Sequence, residues 1–355
     1  MAHSLHLDCR YYRLSFRRSF GIAHGLRNHT DTIYVRASFH DQHGYGEAAL
    51  PPYLGYDAVA LVNSFHDFFS PVLEDSDAIR KVMARMSAPG SELPRPLRTA
   101  VDIALHDLLG KLLGVTVRSI LGLPETSSAP CSYTLGISNV DEMMDKLKEA
   151  GQAGFFKVKL GGADDRTRIE ALLSADSRPF CVDANQAFRT EDEALEWIHW
   201  LKDRGCLLVE QPLPVDMAGS YQRVFDLSPL PVFLDESVQD LRDLPAISRV
   251  CHGINVKLVK CGGLEPARAL VREARRHGLK VLAGCMSEGA CGAMAAAQLS
   301  GWADAVDLDG PLLIANDPFS GAVYSDGRLV LSEDPGTGSI LVNEELFAGK
   351  SITRE

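Results

Sequence analysis

The amino-acid sequence predicts an α/β fold in which a (β/α) barrel follows a separate N-terminal α+β domain. From about residue 126, eight short apolar or β-branched runs alternate with segments of helical periodicity, which is typical of parallel βαβ units. Before that point, a run of predicted strands precedes a run of predicted helices. No glycine-rich dinucleotide fingerprint opens the repeated unit, so a barrel fits better than a doubly wound open sheet.

The N-terminal segment is predicted to form a domain over residues 1–125. Its expected strands cover residues 3–16, 31–40 and 43–48, and its expected helices cover 58–69, 78–86 and 94–114. The stretch LGLPETSSAP, which is rich in proline and serine, predicts a linker to a barrel over residues 126–325. A further strand, RLVLS, is expected to return to the first domain with the C-terminal tail, residues 326–355.

The repeated unit supplies the elements of the barrel. The predicted strands are CSYTLGI, FFKVKL, FCVDAN, LLVEQP, VFLDES, INVKLVK, KVLAGCMSEG and AVDLDG. The predicted helices cover residues 139–151, 165–175, 190–203, 264–277 and 288–300, with shorter ones at 217–226 and 239–248.

Composition excludes several classes of function. The net charge of −11 argues against a nucleic-acid or anionic-membrane partner. No apolar run approaches the roughly 20 residues that span a bilayer, and the start lacks the apolar core of a signal peptide. The eight cysteines form no C-x-x-C pair, which suits a reducing compartment. We therefore expect a cytoplasmic protein that acts on a small molecule and forms a homo-oligomer.

Charged residues stand at the C-terminal ends of five successive predicted strands: Lys159, Asp183, Glu210, Asp235 and Lys257. In a barrel these ends converge on one mouth. Three facing carboxylates would repel one another, so we expect a bound hard divalent cation, Mg²⁺, with Mn²⁺ nearly as suitable. Each carboxylate alone could instead cap the helix that follows it, but three in register favour the metal site.

Lys157 and Lys159 lie one residue apart in a predicted buried strand, so both ammonium groups should share one face. Two like charges held so close depress each other's pKa, and a partly neutral amine can take a proton from carbon. The alternative is a solvated charge pair on an edge strand. The carboxylates on the following strands favour the acid/base role.

Taken together, K-x-K, D-A-N, E-Q-P, D-E-S and the lysine of INVKLVKCGG resemble the enolase superfamily in its muconate-lactonizing subgroup. The runs GYGEAALPPYLGYD and TAVDIALHDLLGKLLG are similar to that family as well, so the resemblance covers nearly the whole chain. It implies a (β/α)7β TIM-like barrel with an N-terminal α+β capping domain.

The resemblance also implies roles for the charged residues. Asp183, Glu210 and Asp235 would bind Mg²⁺, which stabilises an enediolate formed when the substrate loses its α-proton. Lys159 and Lys257 would act on opposite faces of the α-carbon, so that removal and return of a proton invert it. Lys157 would lower the pKa of Lys159. Lys260 is expected outside the site, because three residues along a strand it would point away from Lys257.

The eighth predicted strand narrows the substrate. Asp307 and Asp309 should share one strand face and offer paired carboxylates to a cation, although one could cap a loop while the other is solvated. This D-x-D is similar to that of the dipeptide epimerases, which implies that it receives the α-ammonium group of a dipeptide. Thr134 matches a substrate contact of that family, and Cys285 is a further candidate.

The segment SFGIAHGLRNHT is expected to be a loop of the capping domain that closes over the mouth. Arg27 would meet the carboxylate of a glutamyl side chain, with His24 as a second candidate, although an arginine in an exposed loop could simply be solvated. The resulting hypothesis is Mg²⁺-dependent epimerisation at the C-terminal residue of an Ala-Xaa dipeptide. The leading substrate is L-Ala-D/L-Glu from peptidoglycan turnover.

Several other functions remain open at this point. N-acylamino acid racemases and o-succinylbenzoate synthases of the same superfamily use similar lysines and metal ligands. From different classes, the chain could be a metal-dependent aldolase or a non-catalytic dipeptide-binding protein. A binding protein needs no base on each side of the α-carbon, so the two lysines argue against it.

Overall fold

The structure is a computed structural model that describes residues 4–23, 25–70, 72–74, 77–87, 92–123, 129–151 and 153–348. It contains a four-stranded antiparallel sheet with helices, followed by an eight-stranded parallel sheet with helices. The predicted α/β class, a TIM-like barrel with an N-terminal α+β cap, is thereby confirmed. His24 and residues 124–128 of the predicted linker lie outside the described residues.

The cap sheet has the strand order β3-β2-β1-β4. Its strands are β1 (Ser4–Ile22), β2 (Gly25–Phe39), β3 (Gln42–Leu50) and β4 (Val72–Glu74). The expectation that SFGIAHGLRNHT forms a loop was wrong. Strands β1 and β2 continue through this segment as one long hairpin, with Ile22 opposite Gly25, because the two strands go on pairing beyond the edge of β3.

The cap helices are α1 (Ala58–Asn63), α2 (Phe65–Phe68), α3 (Ala78–Met86) and α4 (Arg95–Leu113). Helix α4 packs directly on β3, and the glycines of the run GYG make this approach possible. A Cβ atom at Gly46 would lie 2.0 Å from the carbonyl oxygen of Ala100, and one at Gly44 would lie 2.2 Å from that of Ala104. The apolar faces of the sheet and of α4 enclose the core of the cap.

The barrel strands run parallel in sequence order. They are β5 (Ser132–Leu135), β6 (Phe155–Lys159), β7 (Phe180–Asp183), β8 (Val209–Glu210), β9 (Val232–Leu234), β10 (Gly253–Lys257), β11 (Lys280–Gly284) and β12 (Ala305–Asp307). A parallel bridge between Cys131 and Val306 joins the two edges of the sheet. In the register, Lys159 lies opposite Asp183, which in turn lies opposite Glu210, so the charged strand ends come together at one mouth.

Helices surround the barrel and pack on its outer face. The short helix α5 (Val117–Ile120) precedes it, and the barrel helices are α6 (Val140–Glu149), α7 (Asp165–Ala175), α8 (Glu191–Lys202), α9 (Tyr221–Leu227), α10 (Leu244–Ile247), α11 (Leu258–Cys261), α12 (Leu264–Arg276), α13 (Ala290–Ala297) and α14 (Gly310–Leu313). Within the described residues, short 3₁₀ segments cover Pro52–Leu54, Val215–Ser220, Leu241–Asp243, Ser300–Trp302 and Glu344–Phe347. None of the described helices is both long enough and apolar enough to cross a membrane.

After the last barrel helix, the described residues form the short strands β13 (Phe319–Ser320), β14 (Val323–Ser325), β15 (Arg328–Val330) and β16 (Ile340–Leu341), of which β15 and β16 lie in the C-terminal tail. The strand predicted at RLVLS is present as β15, but it pairs with β14 and not with the cap sheet as expected. The reason is local: Asp326 and Gly327 both have positive φ and close a two-residue hairpin turn. Later residues of the tail do reach the cap, where the backbone N–H of Thr337 donates to Asp107 of α4.

Candidate active site

Three carboxylates meet at the mouth of the barrel. Asp183 and Glu210 end β7 and β8, Asp235 follows β9, and the three side chains are almost completely buried. One oxygen from each lies within 4.8 Å of the other two. Glu210 Oε2 is buried and, within the described part of the chain, has an ion-pair contact but no aligned hydrogen bond. Such a cluster of oxygen ligands fits a hard divalent cation.

The carboxyl groups of this cluster have strongly shifted pKa values. Burial, reinforced by the negative charge of Asp183, raises the pKa of Glu210 to about 7. Burial would also raise the pKa of Asp183, but the positive charges of Lys159 and Lys157 outweigh burial and lower this pKa to about 2. The cluster therefore holds negative charge that lysines compensate here and that a divalent cation would compensate when bound.

Lys157 and Lys159 lie on the same face of β6, as their spacing predicts. The Lys157 ammonium lies 3.1 Å from Asp183, 2.9 Å from Glu210 and 2.7 Å from Asp307, measured from Nζ to carboxylate oxygen. Burial would lower the pKa of Lys157, but these carboxylates raise it well above its ordinary value. Lys159 Nζ lies 2.6 Å from Asp183 Oδ2. The expectation that the two lysines depress each other's pKa was therefore wrong for Lys157, which stays charged beside Lys159.

Lys257 and Lys260 both contact Asp235. Lys257 Nζ lies 2.7 Å from Asp235 Oδ2, and Lys260 Nζ lies 2.5 Å from Oδ1 of the same carboxylate. The expectation that Lys260 stands outside the site was wrong. Strand β10 ends at Lys257 and the chain turns into the short helix α11, so the alternation of a strand no longer applies at Lys260.

The end of α11 carried a signal that sequence reasoning missed. Gly262 has a φ of 100° and terminates the helix in the left-handed conformation. The glycine pair of KCGG could therefore have indicated a helical turn over the preceding residues. With that turn, Lys260 would have been predicted to lie near the carboxylate cluster.

Two further acidic residues, Asp307 and Asp309, lie on the opposite side of the mouth from the cluster of three carboxylates. Asp307 ends β12, while Asp309 lies beyond the strand at the start of α14. The backbone N–H of Thr134 donates to Asp309 Oδ2 at 2.5 Å, and the Thr134 hydroxyl lies 3.2 Å from Oδ1. Burial, with the charge of Asp307, raises the pKa of Asp309 to about 6. Burial would also raise the pKa of Asp307, but Lys157, Lys159 and Lys257 outweigh it and lower this pKa.

One pocket joins these groups between the cap and the mouth of the barrel. Lys159 and Lys257 both line it, together with Asp307, Asp309 and Thr134. The cap contributes Phe20, Ile22, Arg27, Pro51 and Tyr53. The remaining lining residues are Asn185, Asp235, Glu236, Cys285, Met286, Ser287, Gly310 and Leu313. Among the polar lining residues, Asn185, Glu236 and Tyr53 were not predicted to belong to the site, although Asn185 and Glu236 stand in the motifs D-A-N and D-E-S at the ends of predicted strands.

Arg27 lies on β2, opposite Phe20 of β1, and its guanidinium carbon stands 5.6 Å from the centre of the Phe16 ring. Its Nη2 atom is buried and has no hydrogen-bond partner among the described residues. Burial lowers the pKa of Arg27, although two acidic neighbours act against it. Arg27 thus lines the pocket and carries a buried N–H group that no described residue accepts. Cys285 also lines the pocket, and burial raises the pKa of its thiol, which is therefore neutral.

The fold and the site together define a class of protein, a capped TIM-like barrel with an acidic cluster and lysines at its mouth. The sequence profile of the family described as "Enolase C-terminal domain-like" matches residues 140–345. The chain belongs to this family, and the resemblance seen in its motifs is confirmed.

Relatives of known name extend the match over most of the chain. The L-Ala-D/L-Glu epimerase of Bacteroides thetaiotaomicron is 39% identical over 311 residues, which are 87% of this chain and 81% of the relative. An N-acetyl-D-glutamate racemase from a Pseudoalteromonas species is 33% identical over 282 residues, or 78% of this chain and 86% of the relative. Both are isomerases that invert a carbon centre of an amino-acid derivative.

Solved structures share the fold. A dipeptide epimerase from Methylococcus capsulatus, in complex with Mg and the dipeptide L-Arg-D-Lys, superposes with a TM-score of 0.84 at 28% sequence identity. The match covers 95% of this chain and 99% of that one. A capped barrel of this kind can thus bind Mg and a dipeptide together.

Proposed function

We propose that this protein is a Mg²⁺-dependent dipeptide epimerase that inverts the α-carbon of the C-terminal residue of L-Ala-D/L-Glu. The observation that carries the proposal is one pocket that is lined by two lysines on separate strands, a buried acidic pair and an arginine whose Nη2 atom has no partner among the described residues. Each of these groups matches one part of such a dipeptide. The 39% identity to the Bacteroides epimerase supports the same assignment.

Asp183, Glu210 and Asp235 would hold the cation. Their chemistry and their shared burial fit Mg²⁺, and Mn²⁺ would replace it with similar ligands. When bound, the cation supplies Lewis-acid stabilisation to the substrate carboxylate as the α-proton leaves.

Lys159 and Lys257 perform the proton transfers. They stand on β6 and β10, so they approach the pocket from opposite sides of the acidic cluster. One lysine takes the α-proton, and the other returns a proton to the opposite face of the carbon, which inverts the centre. The pocket beneath the cap keeps bulk water from the reacting carbon.

Asp307 and Asp309 orient the substrate by receiving its α-ammonium group, and Thr134 holds Asp309 in place through two hydrogen bonds. Arg27 receives the side-chain carboxylate of the glutamyl residue. Arg27 lines the pocket and its Nη2 atom has no partner among the described residues, and in a buried setting a charged hydrogen bond is little weakened by water. An acidic side chain is therefore preferred over an apolar one.

The Pseudoalteromonas relative favours a second candidate, racemisation of an N-acylglutamate. An N-acyl substrate has no ammonium group, so Asp307 would keep its ion pair with Lys157 but the buried Asp309 would be left without a cation of its own. Loss of a charged, buried partner costs roughly 2–3 kcal/mol, or about 30–150-fold. We therefore expect kcat/KM for L-Ala-L-Glu to exceed that for N-acetyl-L-glutamate by at least this factor, measured by ¹H NMR in D₂O. Faster turnover of N-acetylglutamate would refute the dipeptide assignment.

The cellular setting follows from the same substrate. L-Ala-D-Glu arises in peptidoglycan turnover, so we propose a cytoplasmic role in its recycling. All eight cysteines are free and buried, which agrees with a reducing compartment. Assembly into a homo-oligomer stays a prediction, which light scattering of the purified protein would test.

A further inference from the structure

Asn255 is a buried amide inside the barrel that the proposed reaction does not use. It stands on β10 two residues before Lys257, so it points into the barrel on the same face, and it is 0% exposed. Its Nδ2 atom donates to Glu210 Oε1 at 2.8 Å. Its Oδ1 atom has no hydrogen-bond partner in the described part of the chain. A buried amide with an unpaired oxygen is costly, which calls for a reason to keep it.

Gly284 leaves the space that this amide occupies. It ends β11 beside Lys257, and a Cβ atom there would lie 2.3 Å from Asn255 Oδ1 and 3.0 Å from both Cγ and Nδ2. The φ of Gly284 is not positive, so the backbone does not require glycine at this position. The residue is small because the Asn255 amide lies against it.

Glu210 depends on this amide more than the other two carboxylates of the cluster do. Asp183 accepts hydrogen bonds from Lys159 and from the backbone N–H of Asn185. Asp235 accepts from Lys257 and Lys260. On Glu210, by contrast, Asn255 bonds Oε1, and the contact of Oε2 with Lys157 is not an aligned hydrogen bond.

We propose that Asn255 is a positioning residue that fixes the Glu210 carboxylate through Oε1 and thereby presents Oε2 to the divalent cation, with Gly284 reserving the room. This inference rests on the metal site of the proposed function but not on its substrate. Groups that bond a metal ligand from behind orient it, and their loss typically costs 10–100-fold in metal affinity.

The test is Mg²⁺ affinity, measured by calorimetric titration of the purified full-length protein without substrate. Asn255→Ala and Asn255→Leu should each weaken Mg²⁺ binding by about 10–100-fold. Leucine keeps the volume but removes the donor, so it separates positioning from packing. Thermal unfolding in the absence of Mg²⁺ shows whether each variant is folded. If one variant fails to fold, the Mg²⁺ affinity of the other decides the test.

Gly284→Ala provides an independent arm, because the nearest atoms to the added Cβ all belong to Asn255. It should weaken Mg²⁺ binding in the wild-type background and cause no further loss in the Asn255→Ala background. Gly219→Ala, where the added Cβ meets nothing within 4 Å, is the matched control.

Unchanged Mg²⁺ affinity in the Asn255 variants, or additive losses in the double variant, would overturn the positioning role and leave the epimerase proposal intact. A wild-type protein that binds Mg²⁺ but does not epimerise the dipeptide would refute the epimerase proposal and leave the positioning role of Asn255 intact.

Discussion

Replacing Arg27 by methionine removes the guanidinium from the pocket while keeping most of the side-chain length. The Nη2 atom is buried without a partner among the described residues, so the substrate carboxylate would be its first strong acceptor. A hydrogen bond to a charged group contributes about 1.5–3 kcal/mol. At 1.4 kcal/mol per factor of ten, Arg27→Met should lower kcat/KM for L-Ala-D-Glu by roughly 10–150-fold.

The loss of kcat/KM should occur only with dipeptides that carry an acidic side chain, and it should arise from a higher KM. Arg27 contacts a part of the substrate that does not react, so its contribution is equal in the ground and transition states, and kcat should change little. The assay compares initial rates of epimerisation of L-Ala-D-Glu and L-Ala-D-Leu. Arg17→Met, which changes an exposed arginine on the neighbouring strand, is the control. Equal losses for both dipeptides, or no loss for L-Ala-D-Glu, would refute the assignment of Arg27.

Further predictions concern the ammonium site, the cap interface and the cap core. Asp309→Asn should lower kcat/KM for the dipeptide by about 10–100-fold and leave any turnover of N-acetylglutamate unchanged; equal losses on both substrates would argue against ammonium binding. Glu47 on β3 accepts hydrogen bonds from the backbone N–H groups of Gly289 and Gly292 in the barrel domain, and burial with the charge of Asp317 raises its pKa from 4.5 to about 7. The folded state therefore binds more protons than the unfolded state between these values, so stability should fall as pH rises through this window. Glu47→Gln should flatten that slope in thermal unfolding, and an unchanged slope would contradict the shift. Gly46→Ala should destabilise the fold by about 1–3 kcal/mol in urea unfolding, because its Cβ would overlap Ala100, whereas Gly219→Ala should be nearly neutral.

The barrel and its acidic cluster could be predicted from sequence because both follow from local periodicity. Each barrel strand is a short apolar run that ends in a polar residue, and parallel strands bring these ends to one mouth. Asp183, Glu210 and Asp235 were therefore found without any knowledge of contacts. To predict the cluster, it was enough to know the fold class; which strands pair and how the barrel closes did not have to be known.

The errors arose where local pattern stops being informative. The β1–β2 hairpin extends through SFGIAHGLRNHT because the two strands pair with each other, although the segment lacks regular alternation. Lys260 was misplaced because β10 ends at Lys257 and the chain turns into the short helix α11, where the alternation of a strand no longer applies. Asn255 was missed because its partners, Glu210 and Gly284, are distant in sequence and meet it only inside the barrel.

The two-lysine proton transfer is the central claim, and exchange of the substrate α-proton in D₂O tests it most directly. Lys159→Ala and Lys257→Ala should each abolish epimerisation while Mg²⁺ still binds in a titration. Each variant should still exchange the α-proton of one stereoisomer of Ala-Glu, and the two variants should act on opposite stereoisomers, as followed by ¹H NMR and mass. Wild-type turnover in either variant, or exchange of the same stereoisomer by both, would contradict the assignment of one lysine to each face of the carbon.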